Sequence, residues 1–139
     1  MSIDIQLAQS LAAKYHAGQK YGTVDYTCHL EEVANSVTLG HTDERLIVVA
    51  WLHDILEDTT CVVPTLQELF EDNVVVAVEA MTRGRNEDKQ QYLLRCKANP
   101  MARIVKVHDS LCNLRASVMR FDPKRIQKYT QQINFLVSP

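Results

Sequence analysis

The sequence predicts an all-α fold: one single-domain helical bundle of the whole chain, residues 1–139. Three observations carry this reading. Apolar residues recur at spacings of three and four in successive segments, the signature of helices with one buried face. Glycine and proline number only four each, too few for the turns of a β-sandwich. The length of 139 residues suits one domain with one core and leaves no room for a second module.

The elements follow in order. Residues 3 to about 17 form an amphipathic helix with Ile3, Leu7, Leu11 and Tyr15 on one stripe and Ala8 and Ala12 beside it. Gly18 and Gly22 bracket a loop running through Asp25. A second helix covers 28–39 and stops at Gly40, a residue suited to a left-handed cap. Thr42 is placed to cap a third helix, with Asp43 and Glu44 favourable against its dipole. This third helix is apolar on every side between Leu46 and Leu52, so it is the buried central one, and it continues through Asp58. Pro64 opens a short helix through Phe70, and Asn73 precedes another over VVVAVEAMT. In both valine-rich segments a strand is the competing reading. The polar loop RGRNEDK leads to a helix ending before Pro100. Residues 101–118 place Ile104, Val107, Leu111, Leu114 and Val118 on a helical stripe, and Asp122-Pro123 starts a last helix bearing Ile126, Tyr129, Ile133 and Leu136.

Composition narrows the function classes. No stretch approaches the roughly 20 apolar residues of a membrane span. The N-terminal residues lack an apolar block followed by a small-residue cleavage site, so no signal peptide is expected. Four cysteines (Cys28, Cys61, Cys96, Cys112) are widely spaced, neither a zinc knuckle nor a disulfide framework, which suits a reducing cytoplasm. The net charge of −2 hides an asymmetry: residues 1–82 hold three basic residues against thirteen acids, and residues 83–139 hold twelve against four. One half is thus able to hold a cation and the other phosphates, a pairing that fits a phosphorylated small molecule. Few aromatics and no dense basic run argue against nucleic acid.

The informative stretch is WLHDILEDTT, residues 51–60. His53 and Asp54 follow seven consecutive apolar residues on a helix without a solvent face. A buried carboxylate without a partner costs several kcal/mol, so such groups are paired or bind metal. Glu57 and Asp58 come one turn later, each at i+4 from His53 and Asp54, and the four make one compact cluster. Helix 101–118 adds Asp109 near its apolar stripe, with Asn113 one turn on; His29, at the start of the second helix, is the remaining candidate. Two imidazoles and two carboxylates without a thiolate suit manganese, iron, cobalt or zinc better than calcium or magnesium.

With these residues in place, the sequence resembles the HD-domain phosphohydrolases, whose signature is a His, then a His-Asp pair, then a distant Asp. Within them it resembles the (p)ppGpp hydrolase domain of RelA/SpoT-type enzymes and their stand-alone small relatives. AAKYHAGQKYG, HLEEVA, AWLHDILEDT, FEDNVVVAVEAMTR and NPMARIVKVHDSLCNLR carry the likeness over nearly the whole chain. The resemblance implies His29, His53, Asp54 and Asp109 as ligands of a divalent metal, Mn²⁺. It implies Glu57 and Asp58 as the pair that orients and deprotonates water and assists the leaving group. Asn113, Lys20, Arg85 and Tyr129 are the implied substrate contacts. The implied reaction is removal of the 3′-pyrophosphate from (p)ppGpp to give GDP or GTP. The loop between Gln19 and His29 is one residue short of the family pattern, and Lys20-Tyr21-Gly22 stands where relatives often carry an adjacent basic pair. Two rivals remain: the same site acting on another nucleotide, such as a nucleoside monophosphate or NADPH, or a non-catalytic helical module that keeps the metal. His108 is read as a neighbour of Asp109 rather than a ligand, His16 as structural, and His41 as facing water.

Overall fold

The structure, a computed structural model, describes residues 2–139. Its order is α1 (Ile3–Tyr15), a hairpin of β1 (Lys20–Tyr21) and β2 (Val24–Asp25), α2 (Tyr26–Thr38), α3 (Glu44–Leu52), α4 (Ile55–Asp58), α5 (Val63–Leu69), α6 (Asp72–Ala80), α7 (Lys89–Ala98), α8 (Pro100–Met119) and α9 (Pro123–Val137). Both valine-rich segments are helical, and the two-residue antiparallel ladder is the one sheet among the described residues. None of these helices is long and apolar enough to cross a membrane.

Helix α3 is the hub, as its unbroken apolar run requires. Leu46, Val48, Val49, Ala50, Trp51 and Leu52 are all buried, and α1, α2, α6 and α8 pack around it. Helix starts are set by side chains that accept otherwise unpaired backbone N–H groups: Ser2 from Ile5, Asp88 from Gln90 and Gln91, Asn99 from Ala102 and Asp122 from Arg125. Gly18 and Gly22 have φ of +85° and +62°, left-handed values that only glycine adopts freely. They turn the chain after α1 and between β1 and β2.

Several sequence expectations are corrected. The third helix does not run unbroken through Asp58: it ends at Leu52, and Asp54 (φ −104°, ψ 2°) separates it from α4. The His53 imidazole Nδ1 lies 2.7 Å from the Ala50 carbonyl, so the side chain supplies the donor that this carbonyl would otherwise take from the next turn. Asp43 rather than Thr42 caps α3, accepting from the Arg45 N–H. Gly40 is not left-handed; α2 already ends at Thr38, with Leu39 as its cap. On α1 the buried face is Ile5, Ala8 and Ala12, while Ile3 is 80% exposed. On α8 the buried set is Ala102, Val105, Asp109, Ser110, Cys112 and Ser117, and Leu111 and Val118 are exposed. His41 is partly exposed, and its ring meets that of His108 edge-on at 5.7 Å.

Candidate metal centre

Three helices deliver the site. The first turn of α2 carries His29, the residue after α3 is His53, and the middle of α8 carries Asp109; α2, α3 and α8 pack against one another. All three side chains are buried, and each offers a ligand atom within 4.8 Å of the other two. His29 Nε2 is 2.9 Å from Asp109 Oδ1, and His53 Nε2 is 3.4 Å from the same oxygen. Asp54 Oδ2 is 3.1 Å from His53 Nε2. Asp54 thus adjoins the centre without joining the mutual three-residue cluster.

Donor chemistry tests whether a cation fits. A carbonyl only accepts, so His53 Nδ1 must donate to Ala50, and in a neutral ring Nε2 is then a lone pair. That lone pair is aimed at two carboxylate oxygens, and His53 Nε2 is one of the buried atoms with no hydrogen-bond partner. Three converging electron pairs need a positive centre among them. A proton on His53 is one solution: burial opposes it, but Asp54 and Asp109 outweigh burial and hold the imidazole pKa well above its usual value. A divalent cation is the other, and the His₂-carboxylate donor set suits one.

The surroundings favour ionised carboxylates. Burial opposes the charge on Asp109, but Lys106 and the two imidazoles outweigh it and hold its pKa well below the usual range. Lys106 Nζ is 3.2 Å from Asp109 Oδ2, which leaves Oδ1 for His29 and His53. Asp54 is likewise lowered, against burial, by His53 and by the hydroxyl of Tyr26, which donates to Oδ2. Burial and Asp54 push the Tyr26 phenol far up, so it stays a donor.

Glu57 and Asp58 reach solvent at the mouth of the site. The break at Asp54 does not separate the two rows, because Asp58 N–H still donates to the Asp54 carbonyl at 3.0 Å. Loss of hydration on the protein side raises both carboxyl pKa values, and the nearby Asp54 adds to it. Glu57 Oε1 accepts from the Arg83 N–H at 2.7 Å, and Asp58 Oδ2 from Gln19 Nε2 at 3.4 Å.

The other sequence candidates divide. Asn113 is at the centre: Nδ2 donates to Asp109 Oδ1 at 3.3 Å. Tyr129 is buried in α9, its hydroxyl accepting from Arg125 at 3.3 Å. Lys20 is exposed and paired with Asp25 across the hairpin at 2.6 Å. Arg85 is exposed in the turn between α6 and α7. Neither cation is brought to the three-residue cluster. His108 turns away from it, bonded to Ser36 at 2.7 Å, and His16 is buried, stacked on Tyr26 with ring centroids 5.0 Å apart.

Sequence reasoning missed Lys106, Tyr26 and Tyr21. Lys106 stands three residues before Asp109 on one helix, a spacing that could have marked it as a partner. Tyr21 reaches the site from the hairpin and Tyr26 from the first residue of α2, and no periodicity announces them. Burial and Asp109 push the Tyr21 phenol up to about 12.

The family model of the HD domain matches residues 8–134 of this helical bundle. This chain belongs to the HD domain family. This HD domain is 33% identical over 136 residues to the GTP pyrophosphokinase rsh of Brucella ovis, a match covering 88% of the chain and 18% of the relative. It is 30% identical to the guanosine-3′,5′-bis(diphosphate) 3′-pyrophosphohydrolase of Aquifex aeolicus, over 94% of the chain and 20% of the relative. A shorter relative is the Drosophila melanogaster guanosine-3′,5′-bis(diphosphate) 3′-pyrophosphohydrolase MESH1, 31% identical over 75% of the chain and 64% of the relative. The HD domain therefore spans about a fifth of the length of the bacterial relatives it matches. Among solved structures, its fold matches that of a metazoan ortholog of SpoT that hydrolyzes ppGpp, with a TM-score of 0.80, 23% identity and coverage of 98% of this chain and 86% of that one.

Proposed function

We propose that this HD domain is a divalent-metal-dependent phosphohydrolase that removes the 3′-pyrophosphate from (p)ppGpp, giving GDP or GTP and pyrophosphate. The observation that carries the proposal is the convergence of the His53 Nε2 lone pair, Asp54 and Asp109, with two solvent-facing carboxylates, Glu57 and Asp58, one turn away at the mouth. A purely structural metal would have no use for Glu57 and Asp58. The likeness to two relatives named as ppGpp pyrophosphohydrolases supports the substrate.

His29, His53 and Asp109 would hold the cation, with Asp54 completing the set and Mn²⁺ the expected ion. When bound, such a cation supplies Lewis acidity at a phosphoryl oxygen and makes nearby water more acidic. The chain's own residues do the rest. Tyr26 holds Asp54, and Lys106 holds Asp109, in their ionised forms. Glu57 and Asp58 orient water and take its proton, and their raised pKa values make them stronger bases than ordinary carboxylates. Asn113 donates to an oxygen of the scissile group through its remaining amide N–H. Tyr129 lies on the substrate side, and Lys20 and Arg85 are the outer phosphate contacts, reaching substrate from the hairpin and the loop before α7. The ligand is a nucleotide rather than a nucleic acid or a membrane. Four free cysteines fit a reducing cytoplasm as the compartment.

The test is a substrate panel with Mn²⁺ present: ppGpp, NADPH and nucleoside monophosphates, with chelated enzyme alongside. Release of pyrophosphate and GDP from ppGpp, abolished by chelation, is expected. Rapid turnover of NADPH or a monophosphate with ppGpp untouched would overturn the substrate. Stoichiometric metal with no turnover of any nucleotide would reduce the domain to a binding module.

A further inference from the structure

The β1–β2 hairpin brings one side chain into the centre that the proposed chemistry does not use. The Tyr21 ring stacks on His29 with centroids 4.3 Å apart and planes within 3°. Its hydroxyl lies 2.7 Å from Asn113 Oδ1. The hairpin is itself secured: Gly22 makes the left-handed turn, Lys20 pairs with Asp25, and the Tyr26 N–H donates to the Gln19 carbonyl at 2.9 Å.

The direction of these bonds follows from chemistry. The Asp109 carboxylate only accepts, so Asn113 must turn its NH₂ toward it. That places Asn113 Oδ1 on the other side, where only a donor satisfies it, and Tyr21 supplies the donor. One N–H of Asn113 is then spent on Asp109 and the other is left for a substrate oxygen. Without the tyrosine hydroxyl, nothing on the hairpin sets the amide's orientation.

We propose that Tyr21 is a positioning residue with two separable parts: its ring fixes His29 as a metal ligand, and its hydroxyl fixes Asn113 as a donor to the phosphorylated substrate. This rests on the reading of the centre as a metal-dependent phosphohydrolase site. It adds a residue whose two contacts act on different steps. Partners that orient metal ligands typically contribute 10–100-fold in metal affinity or activity.

The experiment compares wild type with Tyr21→Phe and Tyr21→Leu, using circular dichroism and thermal unfolding to establish folding. Calorimetry on the metal-free proteins reads Mn²⁺ affinity, and pyrophosphate release from ppGpp reads kcat and KM. Tyr21→Phe keeps the ring, so Mn²⁺ affinity should stay within about threefold while KM rises about tenfold. Tyr21→Leu loses both parts, and Mn²⁺ affinity should fall about 10–100-fold in a folded protein. Equal Mn²⁺ affinities in all three proteins, or an unchanged KM in Tyr21→Phe, would overturn the assignment. If wild type leaves ppGpp intact, the substrate reading fails, while the calorimetric order (wild type and Tyr21→Phe alike, Tyr21→Leu weaker) still decides the ring's role.

Discussion

The floor of the centre and its rim are built on different principles. The floor, His29, His53 and Asp109, is buried where three packed helices meet, and Asp109 lies against both imidazoles and Lys106. The rim consists of a hairpin of two two-residue strands, the short helix α4 and the 82–88 loop; it is mostly exposed and joined by individual contacts such as the hydrogen bond from Arg83 to Glu57. Packing holds a floor to one geometry, whereas a rim can change residue by residue without unfolding the core. The difference teaches where to look for each property under the proposed reading: metal binding in the floor, and choice of substrate in the rim.

The largest effect that sharpens this division comes from Asp109→Ala. It removes a proposed ligand and also strands Lys106, whose side chain is only 14% exposed. Breaking a buried pair in this way costs about 3–5 kcal/mol, so thermal unfolding should shift far down as turnover disappears. A variant that unfolds like wild type would break the claim that the floor is an electrostatic unit.

Next comes the rim. Glu57→Gln and Asp58→Asn should each lower kcat about 10²–10⁴-fold, the usual contribution of a general acid or base. Mn²⁺ affinity and thermal stability should stay close to wild type, because both residues lie outside the three-ligand cluster. Loss of Mn²⁺ binding in either variant, read by calorimetry, would move these carboxylates into the floor.

Tyr26→Phe probes the seam between the two. It deletes the hydroxyl that donates to Asp54 and keeps the ring against His16 and His29. A fall of about tenfold in metal affinity is expected, the low end for an outer partner of a ligand. An unchanged affinity would remove Asp54 from the ligand set.

The floor was the more legible part in sequence. A His-Asp pair after seven apolar residues has no inexpensive explanation other than pairing or metal, and that physical anomaly points straight at His53 and Asp54. The rim was less legible because its contacts are made across the chain. Tyr21 meets Asn113 over 92 residues of separation, and no local pattern encodes that. The α8 stripe was misplaced for a related reason. Ser110 and Ser117 are buried although polar, since each hydroxyl donates to the carbonyl four residues back at 2.7 Å. An apolar pattern therefore undercounts the buried face.

The smallest effect concerns the α8–α9 turn beside the hairpin. Phe121 closes α8 at φ +54° and is 88% exposed. Asp122 N–H bonds to the Ser117 carbonyl and Phe121 N–H to the Val118 carbonyl, both at 3.1 Å, a helix ending that ordinarily takes glycine. A side chain in this conformation costs about 1 kcal/mol, so Phe121→Gly should raise stability by about that amount in urea unfolding. A lower midpoint would mean that the exposed ring has a stabilising contact.

The most direct test of the centre is a crystal grown with Mn²⁺ and measured at the manganese absorption edge. An anomalous peak lying among His29 Nε2, His53 Nε2 and Asp109 Oδ1, with Asp54 beside it, is the expected result. A peak bound only at Glu57 and Asp58, or no peak at full solution occupancy, would contradict the assignment of the floor as the metal site.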